Sequence, residues 1–184
     1  MAPADPRDDP ALDAALIGRW LDGDERAASE LVSRHAPAVA RFVSSIGMRV
    51  DVDEIVQDTF VRAFGAIESF RADAALRTWL FTIARRLVLD RRRSEKRRGV
   101  ELEVQEDDAA TGDDPLSSLV AQEMEDRLRA AVARLTTMQR EVFTLRVTEG
   151  MGYKEIADVV GSTEGAARVH YHHAMRSVKE FLDA

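Results

Sequence analysis

The 184-residue sequence predicts an all-α protein made of two small helical domains joined by an acidic flexible linker. Apolar residues recur every three or four positions along nearly the whole chain, and no segment shows the alternation typical of a strand. Residues 100–116 carry seven acidic and no basic residues, a composition that favours disorder. We therefore expect a disordered leader at 1–10, a first domain at 11–99, the linker at 100–116 and a second domain at 117–184.

Four helices are predicted in the first domain. The apolar stripe of residues 12–21 ends at the turn-forming sequence Asp22-Gly23-Asp24, and Asp24 can cap a second helix. That helix continues towards Gly47, with Pro37 either kinking it or beginning a new segment. A third stripe covers residues 55–67, and a fourth begins near Ala74 and runs into a strongly basic segment.

The second domain continues the helical pattern. Apolar positions between 120 and 135 mark one helix, and Thr137 starts another. Residues 153–168 read YKEIADVVGSTEGAAR, in which a small residue at Ala157 and a turn glycine at Gly161 are typical of a helix-turn-helix. Ser162 is expected to cap the second helix of the pair. An ordinary helical hairpin is the alternative interpretation.

Charge is distributed unevenly along the chain. The net charge is -7, yet residues 71–99 carry ten basic and three acidic side chains, a local charge of +7. Exposed charges more than about 10 Å away are screened at ordinary ionic strength, so this block can attract a polyanion in spite of the acidic whole.

Several functional classes are disfavoured. The chain has no cysteine, which excludes disulfides, thiolate metal sites and catalytic thiols. It shows neither a secretion signal nor an apolar run long enough for membrane insertion, so we expect a cytoplasmic protein. No nucleotide-binding loop, zinc-protease motif or catalytic triad is recognisable. We expect no enzyme activity, no cofactor and no metal site.

Two separated blocks resemble the extracytoplasmic-function (ECF) sigma factors of the sigma-70 family. Residues 53–64 (DEIVQDTFVRAF), 70–73 (FRAD) and 76–91 (LRTWLFTIARRLVLDR) resemble family region 2. Residues 135–143 (LTTMQREVF) and the helix-turn-helix that follows resemble region 4. The resemblance implies an RNA polymerase sigma factor that binds core polymerase and directs promoter-specific initiation at -10 and -35 elements.

The resemblance also implies a site for each partner. The largest-subunit clamp helices of core polymerase are expected to contact the polar side of the third helix at Asp53, Glu54, Gln57 and Asp58. The flap of core polymerase is a second expected partner. Solvated helix charge is the alternative explanation of these four residues. The -10 DNA is expected at Arg71, Asp73, Arg77, Arg85, Arg86, Arg91, Arg92 and Arg93. Trp79 is expected to pack in the core rather than stack on a base.

The -35 DNA is expected at the helix-turn-helix, through Tyr153, Lys154, Thr163, Glu164, Arg168, His170, His172 and His173. Many relatives carry Lys-Ser-Arg and a further arginine where this chain has Arg168, Val169, His170 and then His173. Since imidazoles are largely neutral above neutral pH, a weaker or different -35 contact is expected. Two histidines without acidic or cysteine neighbours make a metal site there improbable.

Two other functions remain open at this stage. One is a self-contained helix-turn-helix regulator whose first domain dimerises or binds an effector. The other is a helical interaction protein that binds no DNA, which the +7 block argues against. The resemblance to region 2 favours a sigma factor over both, and implies an anti-sigma factor as a further partner.

Overall fold

The protein is described here by a computed structural model, which covers residues 9–46, 51–70, 75–97 and 117–183. All regular structure within these ranges is helical. The helices are α1 (Pro10–Leu21), α2 (Glu25–Ile46), α3 (Val52–Gly65), α4 (Leu76–Arg97), α5 (Ser117–Ala133), α6 (Thr137–Phe143), α7 (Tyr153–Val160) and α8 (Glu164–Leu182). The predicted linker lies outside the described residues.

The ends of the first helices follow from local chemistry. The Asp9 carboxylate accepts hydrogen bonds from the backbone N–H groups of Ala11 and Leu12, and Pro10 occupies the first helical position, where its missing N–H is no loss. Helix α1 therefore begins at Pro10, the last residue of the predicted leader. The Asp24 carboxylate accepts a hydrogen bond from the N–H of Arg26, which confirms the prediction that Asp24 caps the start of α2.

Helix α2 runs unbroken through Pro37. The alternative in which this proline begins a new segment is therefore wrong. Its neighbours Ala38 and Val39 are buried, and so are Phe42 and Val43 one turn further on. Burial of this apolar face outweighs the lost backbone hydrogen bond, whose cost in a helix is about 3 kcal/mol.

The main apolar core extends through both halves of the chain. Phe42 of α2 and Phe81 of α4 are fully buried, with ring centroids 5.1 Å apart. The same cluster includes Leu145 and Ile156 from the second half. Helix α4 packs against α7, and α2 packs against α6. The two helical units predicted from the sequence are thus in direct contact.

A smaller cluster holds the second half together. Ala131, Leu135, Phe143, Ala174 and Val178 bury each other where α5 and α6 meet α8. Helix α6 begins with a capping box, in which Thr136 and Gln139 each accept from the other's backbone N–H. A π-helical segment, Thr144–Thr148, then leads towards α7.

None of the described helices combines the length and apolar character that crossing a membrane requires.

Candidate polymerase and nucleic-acid interfaces

Helices α7 and α8 form the predicted helix-turn-helix. Gly161 ends α7 in the left-handed conformation, with φ of +67°, which glycine adopts without strain. Ala157 and Ala167 are buried where the two helices pack. The cap of α8 is Thr163, whose hydroxyl accepts from the N–H of Ala166 at 3.2 Å. The prediction that Ser162 caps this helix is wrong by one position.

The first turns of α8 present polar side chains to solvent. Glu164 and Arg168 are about half exposed and form an ion pair at 2.9 Å. Lys154, at the start of α7, is also exposed. Thr163 is exposed too, although its hydroxyl is engaged in the cap.

Tyr153 organises two arginines of the second half. The guanidinium of Arg146 lies 4.8 Å from the centre of the Tyr153 ring, and that of Arg168 lies 5.1 Å from it. Arg146 also donates to the carbonyl of Met151. The sequence analysis missed Arg146, because it precedes the helix-turn-helix and only the fold brings it to the ring. Such cation–π contacts restrict where the arginines can point.

The three histidines of α8 differ in exposure. His172 and His173 are exposed, whereas His170 is half-buried. The ring of His172 lies 6.2 Å from that of Tyr171. At least two of the three imidazoles are therefore accessible from solvent.

The polar side of α3 is open to solvent over most of its predicted length. Asp53, Glu54 and Gln57 are exposed and Asp58 is half-buried. Asp51 caps the helix by accepting from the N–H of Glu54. Glu54 also forms an ion pair with Arg91 of α4, so a predicted polymerase contact and a predicted DNA contact are partners of each other.

Helix α4 carries six of the predicted -10 contacts in two different environments. Arg86 and Arg93 are exposed, and Arg93 forms an exposed ion pair with Asp90 at 3.5 Å. Arg77, Arg85, Arg91 and Arg92 are bound to protein groups, among them the carbonyl of Ile46, which accepts from Arg92. Arg71 and Asp73 lie outside the described residues.

Trp79 packs against Phe70, with ring centroids 5.1 Å apart, and joins the edge of the main core. This confirms the prediction that Trp79 is a packing residue.

Two buried carboxylates bind the arginines of α4. The Glu149 side chain is fully buried and accepts from Arg77 Nη2 at 2.5 Å and from Arg41 Nε and Nη2 at 3.1 Å each. The Glu141 side chain is 1% exposed and accepts from Arg85 Nε at 2.9 Å. Local sequence patterns could not predict these pairs, because their partners are 56 to 108 positions apart.

Arg140 has a structural role that the sequence analysis also missed. Its guanidinium donates to the carbonyls of Val132, Ala133 and Leu135 and so completes the C-terminal end of α5. Burial, together with the nearby positive charge of Arg92, lowers the pKa of Arg140 below its ordinary value.

Family models match both halves of the chain. A model described as Sigma-70 region 2 matches residues 31–98, and one described as Sigma-70, region 4 matches residues 125–178.

Curated relatives match nearly the whole chain. The RNA polymerase sigma factor NccH of Alcaligenes xylosoxydans xylosoxydans is 33% identical, over 96% of this chain and 97% of that protein. The RNA polymerase sigma factor CnrH of Cupriavidus metallidurans is also 33% identical, over 94% and 95%. The ECF RNA polymerase sigma-E factor of Escherichia coli is 31% identical, over 90% and 92%.

Solved structures share the fold. CnrH in complex with the cytosolic domain of CnrY matches with a TM-score of 0.67 and 30% identity, over 94% of this chain and 97% of that one. The sigma factor RpoE in complex with the anti-sigma factor NepR from Bartonella quintana matches with a TM-score of 0.70 and 26% identity, over 85% and 96%.

The region 2 match runs from within α2 through α4, and the region 4 match runs from within α5 to within α8. Below, region 2 denotes the helical unit α1–α4 and region 4 denotes the unit α5–α8. With both regions matched in order and relatives similar from end to end, the chain belongs to the ECF class of the sigma-70 family, as an RNA polymerase sigma factor that directs promoter-specific initiation of transcription.

Proposed function

We propose that this sigma factor acts in complex with RNA polymerase core, with region 2 recognising and melting the -10 element and region 4 reading the -35 element. The observation that carries the proposal is the helix-turn-helix of region 4, whose turn is built by Gly161 and Thr163 and whose recognition helix exposes Arg168. This geometry presents the first turns of α8 to a major groove.

The -35 contact would use two kinds of side chain. Lys154 and Arg168 supply positive charge for phosphates or base edges, and Tyr153 holds Arg168 in place. His170, His172 and His173 lie further along α8 and would complete the proposed contact.

The -10 contact would follow α4, the most cationic helix described. Arg86 and Arg93 are exposed on it, and further arginines line the same helix. Arg71 and Asp73 remain part of the proposed site by resemblance. Contacts of this kind predict strongly salt-dependent binding, since phosphate neutralisation releases counterions.

The polymerase contact would use the exposed side of α3. Asp53 and Gln57 point to solvent, whereas the opposite face supplies the buried residues Ile55 and Phe60. A polar surface already separated from the core can bind a partner without refolding. The clamp helices of the largest subunit would bind here, and the flap is a second proposed partner of the chain.

The protein would have no catalytic activity of its own and would work in the cytoplasm. An anti-sigma factor is a further proposed partner. RpoE of Bartonella quintana, which shares the fold of this chain, was solved in complex with the anti-sigma factor NepR, and CnrH was solved in complex with the cytosolic domain of CnrY.

Transcription reconstituted from core polymerase, this chain and genomic DNA tests the proposal. Specific start sites should appear only when both proteins are present. Transcripts that do not depend on the chain, or promoter binding of equal strength and specificity without core, would contradict it.

The polymerase surface is tested by charge reversal. Asp53→Lys should weaken core binding on the order of tenfold while leaving helicity unchanged, because an interface charge is reversed at an exposed position. Glu30→Lys, an exposed acid on α2, is the matched control. Equal affinities of the two variants for core would remove α3 from the proposed interface.

A further inference from the structure

Val169 is an exposed apolar residue on the recognition helix α8. The inward face of this helix is formed by Ala167, Ala174 and Val178, which are all buried. Val169 follows Ala167 by two positions, which places it roughly 200° around the helix from that alanine. It is 53% exposed, so its side chain points away from the protein. The -35 contacts expected from the sequence do not include it.

Val169 lies in the part of α8 that the proposed function places in a major groove. In a helix-turn-helix the N-terminal residues of the recognition helix reach the base edges, and Val169 is the sixth residue of α8. Its neighbour Arg168 is held by Glu164 and by the ring of Tyr153. His173, one turn later, is exposed. The valine is therefore an apolar point on a surface of hydrogen-bonding side chains.

The helical turn that precedes Val169 is open, because residue 165 is a glycine. Apart from its chain neighbours and the local backbone of α8, no described residue places an atom within 4 Å of the point where a Cβ of Gly165 would stand. The backbone of Gly165 has no positive φ. The fold therefore does not require glycine here, although glycine is a weaker helix former than alanine. The missing side chain leaves room for a base edge to reach Val169.

One feature of the major groove matches a valine. The base pairs present hydrogen-bond donors and acceptors there, and the C5-methyl group of thymine is the apolar feature among them. Valine neither donates nor accepts a hydrogen bond, so packing it on a polar edge would leave that edge without the water it had bound. Packing it on a methyl group removes apolar surface of both partners from water, which is favourable.

We propose that Val169 determines part of the -35 specificity by packing on the C5-methyl group of a thymine, which reaches it through the space beside Gly165. The inference deepens the proposed function and rests on it, because region 4 must read the -35 element for Val169 to contact a base. It adds a side chain that selects a base by apolar contact, next to the cationic side chains, which bind by charge.

Removal of single methyl groups from the DNA tests the contact. The probe is a duplex promoter fragment with the -35 sequence found by the transcription experiment, bound by holoenzyme assembled from core polymerase and this chain. Each thymine of the -35 element is replaced in turn by uracil, which lacks only the C5-methyl group. One replacement should weaken binding roughly threefold to fivefold, the value of one buried methyl group. At that position 5-bromouracil, whose bromine is similar in size to methyl, should restore binding.

Val169→Ala identifies the protein side of the contact. This variant should bind the thymine and uracil duplexes with equal affinity, because alanine does not reach the methyl group. Its fold should be unchanged, since an exposed valine is replaced by a stronger helix former. Met175→Ala, which truncates another exposed apolar side chain of α8, is the matched control and should keep the full preference for thymine.

Two further measurements separate this contact from charge and from folding. The ratio of thymine to uracil affinity should be the same at low and at high salt, because no phosphate charge takes part, whereas Arg168→Gln should reduce the salt dependence of binding itself. Gly165→Ala should keep or raise the melting temperature, since nothing obstructs the added Cβ. It should lose most of the thymine preference, because the Cβ fills the space beside Val169.

The proposal is overturned if the -35 element has no thymine that is sensitive to uracil, or if Val169→Ala or Gly165→Ala keeps the full thymine preference. It is also overturned if Val169→Ala weakens binding to core rather than to DNA. None of these results would touch the proposed function, which depends on core-dependent start sites with the wild type. The absence of such start sites would refute the proposed function, and this inference with it.

Discussion

Asp13 is the buried acid that joins the first two helices. Its carboxylate accepts from Arg34 Nε and from His35 Nε2, each at 3.1 Å, and both Asp13 and His35 are almost inaccessible to solvent. A buried acid with two partners fixes the angle at which α1 meets α2. The apolar periodicity of the sequence does not predict this role of Asp13.

Asp13→Ala should reduce the free energy of unfolding by roughly 3 kcal/mol, because it leaves His35 and Arg34 without their buried acceptor. Urea denaturation followed by circular dichroism measures the loss. The matched change Asp90→Ala breaks an exposed ion pair with Arg93 and should cost less than about 1 kcal/mol. Similar losses at the two positions would show that burial of Asp13 is unimportant.

The histidines of α8 occupy positions expected to face the -35 DNA, and His172 and His173 are exposed there. His170→Arg/His173→Arg places two permanently charged guanidinium groups where DNA supplies negative charge, so it should strengthen -35 binding and steepen its salt dependence. Fluorescence anisotropy with a -35 duplex at several salt concentrations measures both proteins. Equal affinities and equal salt slopes would exclude these positions as DNA contacts.

At the level of single elements, the helix-turn-helix depends on its turn. Thr163 rather than Ser162 satisfies the first N–H groups of α8. Both residues are chemically able to cap a helix. Only the backbone conformation, extended at Thr163, decides which hydroxyl is used.

Thr163→Ala should therefore lower the unfolding free energy by about 1 kcal/mol, the usual value of an N-cap. Ser162→Ala is an ideal control, since it removes the same hydroxyl one residue earlier and should change stability by less than about 0.5 kcal/mol. Thermal unfolding of the two variants gives the comparison. The reverse order would place the cap at Ser162 after all.

At the level of the whole molecule, the shared core should couple the two regions during unfolding. Leu145 of region 4 is fully buried in the cluster that also holds Leu16 and Phe42 of region 2. Both tryptophans, Trp20 and Trp79, lie in region 2. Tryptophan fluorescence therefore reports region 2 even when the substitution is made in region 4.

Leu145→Ala should shift the fluorescence transition to lower urea by an amount equal to roughly 2–5 kcal/mol, the usual cost of truncating a buried leucine. Val147→Ala, two residues away and 52% exposed, should leave it nearly unchanged. If Leu145→Ala leaves the fluorescence transition unchanged, region 2 unfolds independently of region 4.

The sequence by itself determined the helical class, the two regions and the helix-turn-helix, because each depends on residues that are close together in the sequence. Apolar spacing marks the buried face of each helix, and Gly161 and the Asp24 carboxylate mark helix ends. The family resemblance was readable for the same reason, since it rests on contiguous blocks. The cap predicted at Ser162 was wrong by one residue, and the alternative left open at Pro37 was decided by the fold, and both are local details.

Only the tertiary structure decided which of the arginines of α4 are accessible. Arg85 and Arg86 are adjacent and chemically identical, yet one binds buried Glu141 and the other faces solvent. Nothing in a charge pattern separates them, because their environments are created by helices more than 50 positions away. Whether a charged side chain is buried and paired depends on the residues that the folded chain places beside it. For this reason some arginines of the basic helix α4 are accessible and others are not.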